Sequence, residues 1–136
     1  MRQGTTVHLI DDDAAILDSL GLYLESKGFT VHRYGSASAA AAIEVGAADS
    51  CIVTDVRMPG MSGLQLADMI RARDPDLPIV LMTGFADLPP DEVGIGGSGL
   101  PRLSKPFWQA DLESVVASVC RQRALRSPGR FTRRGD

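Results

Sequence analysis

The 136-residue chain has only two cysteines, one tryptophan, two tyrosines and four phenylalanines. Cys51 and Cys120 form no CxxC pair and no disulfide framework. That excludes a structural zinc site and a small secreted scaffold, and makes a reducing cytoplasm the expected compartment. No apolar run approaches the roughly 18–20 residues of a membrane span. The first residues lack the charged-then-apolar layout of a secretory signal. No G-x-x-x-x-G-K-S/T loop is present, so no nucleoside triphosphate site is expected, and no dinucleotide site either. What remains is the balance of one globular domain with a buried core, 44% hydrophobic and 23% charged.

The formal net charge of −3 conceals an asymmetry. Residues 1–120 hold 8 basic and 16 acidic groups, whereas residues 121–136 hold six arginines against Asp136 alone. An acidic body repels nucleic acid and attracts cations. Direct nucleic-acid binding is therefore not expected. The arginine-rich end, which contains Ser127-Pro128-Gly129, reads as a solvated tail. The domain reading is 1–123 for the folded unit and 124–136 for the basic tail.

Short apolar runs alternate with segments of helical period. Val7–Ile10, Phe29–Tyr34, Cys51–Thr54, Ile79–Met82 and Leu100–Leu103 read as strands. Between them, Ala14–Lys27 carries Ile16, Leu17, Leu20 and Leu24 at helical spacing, with Gly28 as a stop. Ser36 or Ser38 caps an alanine-rich helix through Val45. Ser62 caps a helix bearing Leu66, Met69 and Ile70 that stops before Asp74-Pro75, and a last helix spans Asp111–Cys120. Residues 87–99 are rich in proline and glycine, so a fourth helix there is expected to be short or irregular. Repeated β–α units with continuous apolar strands predict an α/β fold, a parallel sheet covered on both faces.

In such sheets ligands bind beyond the carboxyl ends of the strands. Those ends carry Asp11, Asp12 and Asp13 after the first strand, Asp55 after the third, Thr83 after the fourth and Lys105 after the fifth. Each residue alone has an ordinary explanation: Asp13 as a helix N-cap, Thr83 as a turn, Lys105 as a solvated amine. Together they place several carboxylates, a hydroxyl and an ammonium on one edge. Converging carboxylates repel unless a cation joins them, and a hard divalent ion with oxygen ligands resolves the conflict. A carboxylate in that setting can attack phosphorus. The transferred phosphoryl group then needs positive charge and hydrogen-bond donors around it.

The segments Leu9-Ile10-Asp11-Asp12-Asp13, Thr54-Asp55-Val56-Arg57-Met58-Pro59-Gly60-Met61-Ser62-Gly63, Val80-Leu81-Met82-Thr83-Gly84 and Ser104-Lys105-Pro106-Phe107 resemble the receiver domain of two-component response regulators. The match runs in order from about residue 5 to 122. The resemblance implies a doubly wound five-stranded parallel sheet of flavodoxin-like order. It implies Asp55 as phosphoacceptor, and Mg²⁺ (or Mn²⁺) held by Asp11, Asp12, Asp55 and the backbone carbonyl of Arg57. Thr83 and Lys105 match the phosphoryl-sensing hydroxyl and the phosphate-pairing amine. The Lys105-Pro106 bond is expected to be cis, aiming Lys105 into the site. Implied partners are a sensor histidine kinase or histidine phosphotransfer protein and a downstream protein target, with no membrane and a monomer or weak dimer.

Two departures stand out. Arg102 occupies the position where such receivers often carry Tyr or Phe, and the helix before it has become the Pro/Gly-rich stretch. Arg102 is expected to stay solvent-directed or paired with Asp87, Asp91 or Glu92, leaving residues 84–99 to carry the response. No winged or helix-turn-helix output follows residue 122, so a stand-alone receiver is expected, with a piece of a longer regulator as the alternative. His8 and His32 read as buried or edge histidines, Phe107 and Trp108 as packing at the start of the last helix. Met58, Met61 and Met69 read as core or partner contacts. Two other functions are weighed. A haloacid-dehalogenase-type phosphatase would use Asp11 and Asp13 but gives Asp55 no task. A phosphorylation-independent binding module would not need the intact acid set.

Overall fold

The structure, a computed structural model, describes residues 5–43, 49–84 and 100–126, with the backbone alone for 122–126. Its elements are β1 (Thr6–Ile10), α1 (Ala14–Ser26), β2 (Thr30–Tyr34), α2 (Ala37–Ala40), β3 (Ser50–Asp55), α3 (Gly63–Arg73), β4 (Ile79–Thr83), β5 (Arg102–Ser104) and α4 (Gln109–Arg126). The five strands form one sheet in the order β2-β1-β3-β4-β5, and every pairing is parallel. This is the doubly wound, flavodoxin-like arrangement expected. Among the described residues no helix is long and apolar enough to cross a membrane.

Strand alternation divides the core into two layers. Val7 and Leu9, Cys51 and Val53, and Val80 and Met82 face a layer that includes Leu17, Leu20, Leu24, Leu112, Val116 and Val119 from α1 and α4. Ile10, Ile52, Ile79 and Leu81 face the other, with Ala37, Ala40, Leu66, Ala67 and Ile70 from α2 and α3. Both sheet faces are thus covered, which is why β3 and β4 are apolar without a break over 51–53 and 79–82.

The helix ends follow from local chemistry. The Asp13 carboxylate accepts from the Ala15 and Ile16 N–H groups and caps α1. At the far end Gly28 has φ 99°, and the Gly28 and Phe29 N–H groups donate to the Glu25 and Leu24 carbonyls, a Schellman closure. Ser36 rather than Ser38 caps α2. Ser62 and Gln65 close a reciprocal capping box on α3.

Several expectations need correction. Helix α2 ends at Ala40 instead of running on through Val45, as Ala41 and Ile43 donate to carbonyls three residues back and tighten the chain into turns. Val45 itself lies outside the described residues, as do 85–99, where the irregular fourth helix and the acids proposed for Arg102 fall. Strand β5 begins two residues late, and Leu100 is a buried core residue ahead of it. Helix α4 begins at Gln109 and runs to Arg126, beyond Cys120, through good helix formers such as Ala124 and Leu125. Met69 is exposed, since about 100° per residue puts it well away from the buried stripe of Gly63, Leu66, Ala67 and Ile70. Trp108 is 80% exposed, whereas Phe107 packs on the core. The Trp108 backbone is tied down by Asp111, which receives its N–H on Oδ2 and donates to its carbonyl, and the indole projects away.

Two buried glycines allow close approaches of different kinds. A Cβ on Gly21 would collide with the Arg33 guanidinium, a flexible side chain that bonds the Leu17 carbonyl and Glu25. A Cβ on Gly63 would collide with the Asp55 carbonyl oxygen and lie 3.0 Å from its carbon, against strand backbone that cannot swing aside. Gly63→Ala is therefore expected to cost about 1–3 kcal/mol of stability through overpacking. Gly21→Ala should change stability by less than about 1 kcal/mol, the lost Arg33 contacts being offset by alanine's helix propensity. Urea unfolding of the two variants beside the wild type measures this difference.

Candidate functional site

Four strand ends meet at the carboxyl edge of the sheet. Asp55 is the last residue of β3 and Thr83 the last of β4, while Asp11 and Lys105 directly follow β1 and β5. The Lys105 N–H donates to the Thr83 carbonyl at 2.7 Å and the Val56 N–H to the Met82 carbonyl at 3.0 Å, so the β-ladder continues past the strands and fixes their relative height. The Asp11 backbone N–H donates to the Tyr34 carbonyl at 3.1 Å, anchoring that acid to β2. The Lys105-Pro106 peptide bond is cis, as expected.

Asp11, Asp12 and Asp55 each offer a carboxylate oxygen within 4.8 Å of the others. Asp11 and Asp55 are buried and Asp12 is exposed. The Lys105 ammonium lies 3.3 Å from Asp55 Oδ1 and 3.5 Å from Asp11 Oδ2. Asp11 Oδ1 accepts the Asp13 N–H at 2.9 Å, but its fully buried Oδ2 makes no hydrogen bond of good geometry. A buried carboxylate oxygen left in that state is costly. Three oxygens converging from acids, one of them met only by an ion pair at 3.5 Å, are the donor set that suits a hard divalent cation.

The electrostatics reflect this crowding. Burial, then the Asp11 charge, pushes the Asp55 carboxyl above the usual carboxylate range, and Lys105 only partly offsets them. Burial likewise raises Asp11 against the Asp13 N–H and the Lys105 charge. For Lys105 burial acts downward, but the attraction of Asp11 and Asp55 outweighs it and raises the amine. Thr83 is buried on the adjacent strand end. Arg57 is exposed in the loop two residues beyond Asp55. Asp13, weighed equally as ligand or cap, is the cap.

The family model described as the response regulator receiver domain matches residues 7–117. The chain belongs to the response regulator receiver family. The transcriptional regulatory protein FixJ of Bradyrhizobium diazoefficiens is 37% identical over 116 residues, covering 85% of this chain and 57% of that protein. FixJ of Azorhizobium caulinodans is 40% identical over 119 residues, covering 88% and 55%. The chain thus spans a little over half the length of these relatives. Among solved structures, FixJ-N superimposes with a TM-score of 0.74 at 29% identity, covering 88% of this chain and 95% of that one. A receiver protein from Sinorhizobium medicae gives 0.76 at 29%, covering 88% and 96%.

Receiver domains act in two-component signalling, and the phosphoacceptor reading of this chain fits the family where the two rival readings do not. The phosphatase pattern fails on Asp13, which is spent on α1, and on Asp55, which sits among the acids. His8, half-buried, and His32, exposed on the edge strand β2, stack at 5.3 Å, and His8 Nδ1 bonds the Tyr34 hydroxyl at 3.0 Å. Burial and His32 hold the His8 pKa down to about 4. One glycine spacing of the dinucleotide type, Gly94–Gly99, does occur in the sequence, but it precedes β5 instead of following β1 and lies outside the described residues.

A carboxyl whose folded pKa is raised binds more protons folded than unfolded between the two values. Stability falls there as pH rises, and the full penalty is felt above the folded pKa. With no divalent cation added, Asp55→Asn should therefore raise the melting temperature near pH 8, and the gain should shrink as pH falls to about 4. Thermal melts of both proteins in chelator across that range check the sign.

Proposed function

We propose that Asp55 accepts a phosphoryl group from a phosphohistidine on a sensor histidine kinase or a histidine phosphotransfer protein. Asp55 Oδ attacks phosphorus as the phosphorus–nitrogen bond breaks, and the electron pair leaves with the imidazole, which picks up a proton. The observation that carries this reading is the Lys105 ammonium shared between Asp55 and Asp11 at 3.3 and 3.5 Å. It neutralises the nucleophile's surroundings before transfer and is positioned to pair with phosphoryl oxygens afterwards.

Asp11, Asp12, Asp55 and the Arg57 carbonyl are the groups assigned to Mg²⁺ (or Mn²⁺). When bound, the ion supplies positive charge against the phosphoryl oxygens. Asp12, exposed, is suited to ligate directly, and buried Asp11 more through water. The buried Thr83 hydroxyl is assigned to sense the phosphoryl group from β4. The chain promotes only its own phosphorylation and dephosphorylation and turns over no external substrate. Its output is a protein partner, read through the change in conformation, with the receiver reaching to the end of α4 at Arg126 and a basic extension after it. A cytoplasmic setting and a monomer or weak dimer complete the reading. Relatives named as transcriptional regulators extend well beyond the matched length, which is consistent with outputs carried on separate domains in those proteins.

Two experiments test the assignment. Incubation with acetyl phosphate and Mg²⁺ should add one base-labile phosphoryl group to the wild type by intact mass. Asp55→Asn and wild type in excess chelator should gain none, and labelling of either would overturn the acceptor or metal role respectively. Lys105→Ala should remain folded and bind Mg²⁺. Its amide exchange should be unchanged by phosphorylation, whereas the wild type responds; an equal response in both would remove Lys105 from the signalling step.

A further inference from the structure

The fold brings together two residues that the sequence keeps 69 positions apart. Cys51 lies on β3 and is completely buried, and Cys120 lies on α4 and is half-buried. Both pack in the core layer between the sheet and helices α1 and α4, where α4 lies against β3 and the Cys120 thiol bears on that of Cys51. They are the only cysteines in the chain, and neither is in a disulfide. Neither takes part in the acid site, which lies at the opposite end of β3, four residues beyond Cys51.

We propose that Cys51 and Cys120 form a reversible thiol–disulfide site, closed by a low-molecular-weight disulfide such as oxidised glutathione and reopened by a dithiol. Cys120 is the more exposed of the two residues, and it reacts first, as the nucleophile. Its thiol releases a proton, and the thiolate attacks one sulfur of the reagent. The reagent's S–S bond breaks, and one glutathione thiolate departs. Cys51 then gives up its proton and attacks Cys120 Sγ, expelling the second glutathione thiolate. The two protein thiols are oxidised by two electrons in all, and the reagent is reduced to two thiols that carry away the two protons.

The second step is the slower one. In the reduced protein the neighbouring Cys120 and then burial hold the Cys51 thiol well above the ordinary range, and burial persists once Cys120 is a mixed disulfide, so closure should accelerate with pH. In a reducing compartment such a pair is open at rest and closes only under oxidative load. The closed form ties α4 covalently to the strand that ends in Asp55.

The test uses the full chain with excess oxidised glutathione, followed by intact mass and alkylation with iodoacetamide under denaturing conditions. The expected product is about 2 Da lighter than the reduced protein and takes up no alkylating reagent, and dithiothreitol restores two reactive thiols. Cys120→Ser changes only a half-buried position and should fold as judged by circular dichroism. It should show no 2 Da loss, its single remaining thiol staying alkylatable. A stable glutathione adduct, a disulfide-linked dimer, or two alkylatable thiols after oxidation would each overturn the proposal.

Discussion

Two buried carboxylates and an exposed one held within a few ångströms of one another are the constraint around which this molecule is arranged. Like charges so close, and largely removed from water, oppose folding. The chain tolerates them because Lys105 arrives from β5 to lie between Asp55 and Asp11, and because the ladder bonds beyond β4 and β5 hold it there. The remaining cost is visible in the raised carboxyls and in Asp11 Oδ2, which has an ion pair but no hydrogen bond of good geometry. Carboxylates gathered this closely gain on meeting positive charge, and a parallel sheet is the architecture that can gather four strand ends at one edge.

Much of this was legible in the chain itself. The apolar runs of strand length end in Asp11, Asp55 and Thr83, and a parallel sheet sends all three to the same edge whatever the details of packing. The D-x-x-M-P-x-M-S-G stretch around Asp55 pointed to the receiver family, and the family match and the solved structures agree with it. The Ser62 cap was also readable, a lone serine before an apolar period, whereas Asp13, third in a run of acids, reads equally as cap or ligand until its hydrogen bonds are seen.

What was not legible depended on rotation and on distance. Met69 follows the apolar composition of α3 but not its buried stripe, and the angle of a helix against its sheet decides which neighbour of Ile70 is covered. Trp108 reads from the sequence as packing at the start of the last helix, yet only its backbone serves that start and its ring is turned out. The meeting of Cys51 and Cys120 requires both the parity of β3 and the phase of α4, neither of which a count of cysteines contains. Arg102 is half-buried on β5, and the sequence gives its unusual identity without the environment that makes it acceptable.

The contact between Gly63 and the Asp55 carbonyl bears on how the strand end responds to a load. The Thr54 hydroxyl donates to that same oxygen at 3.0 Å, and the Gly63 N–H reaches back to the Val56 carbonyl at 2.9 Å. The Asp55 backbone is therefore clamped between its own strand and the first turn of α3. A bulky dianion attached to its side chain, as proposed above, would have to be accommodated by the groups around it, so the rigidity of this junction would export the displacement to the surrounding loops.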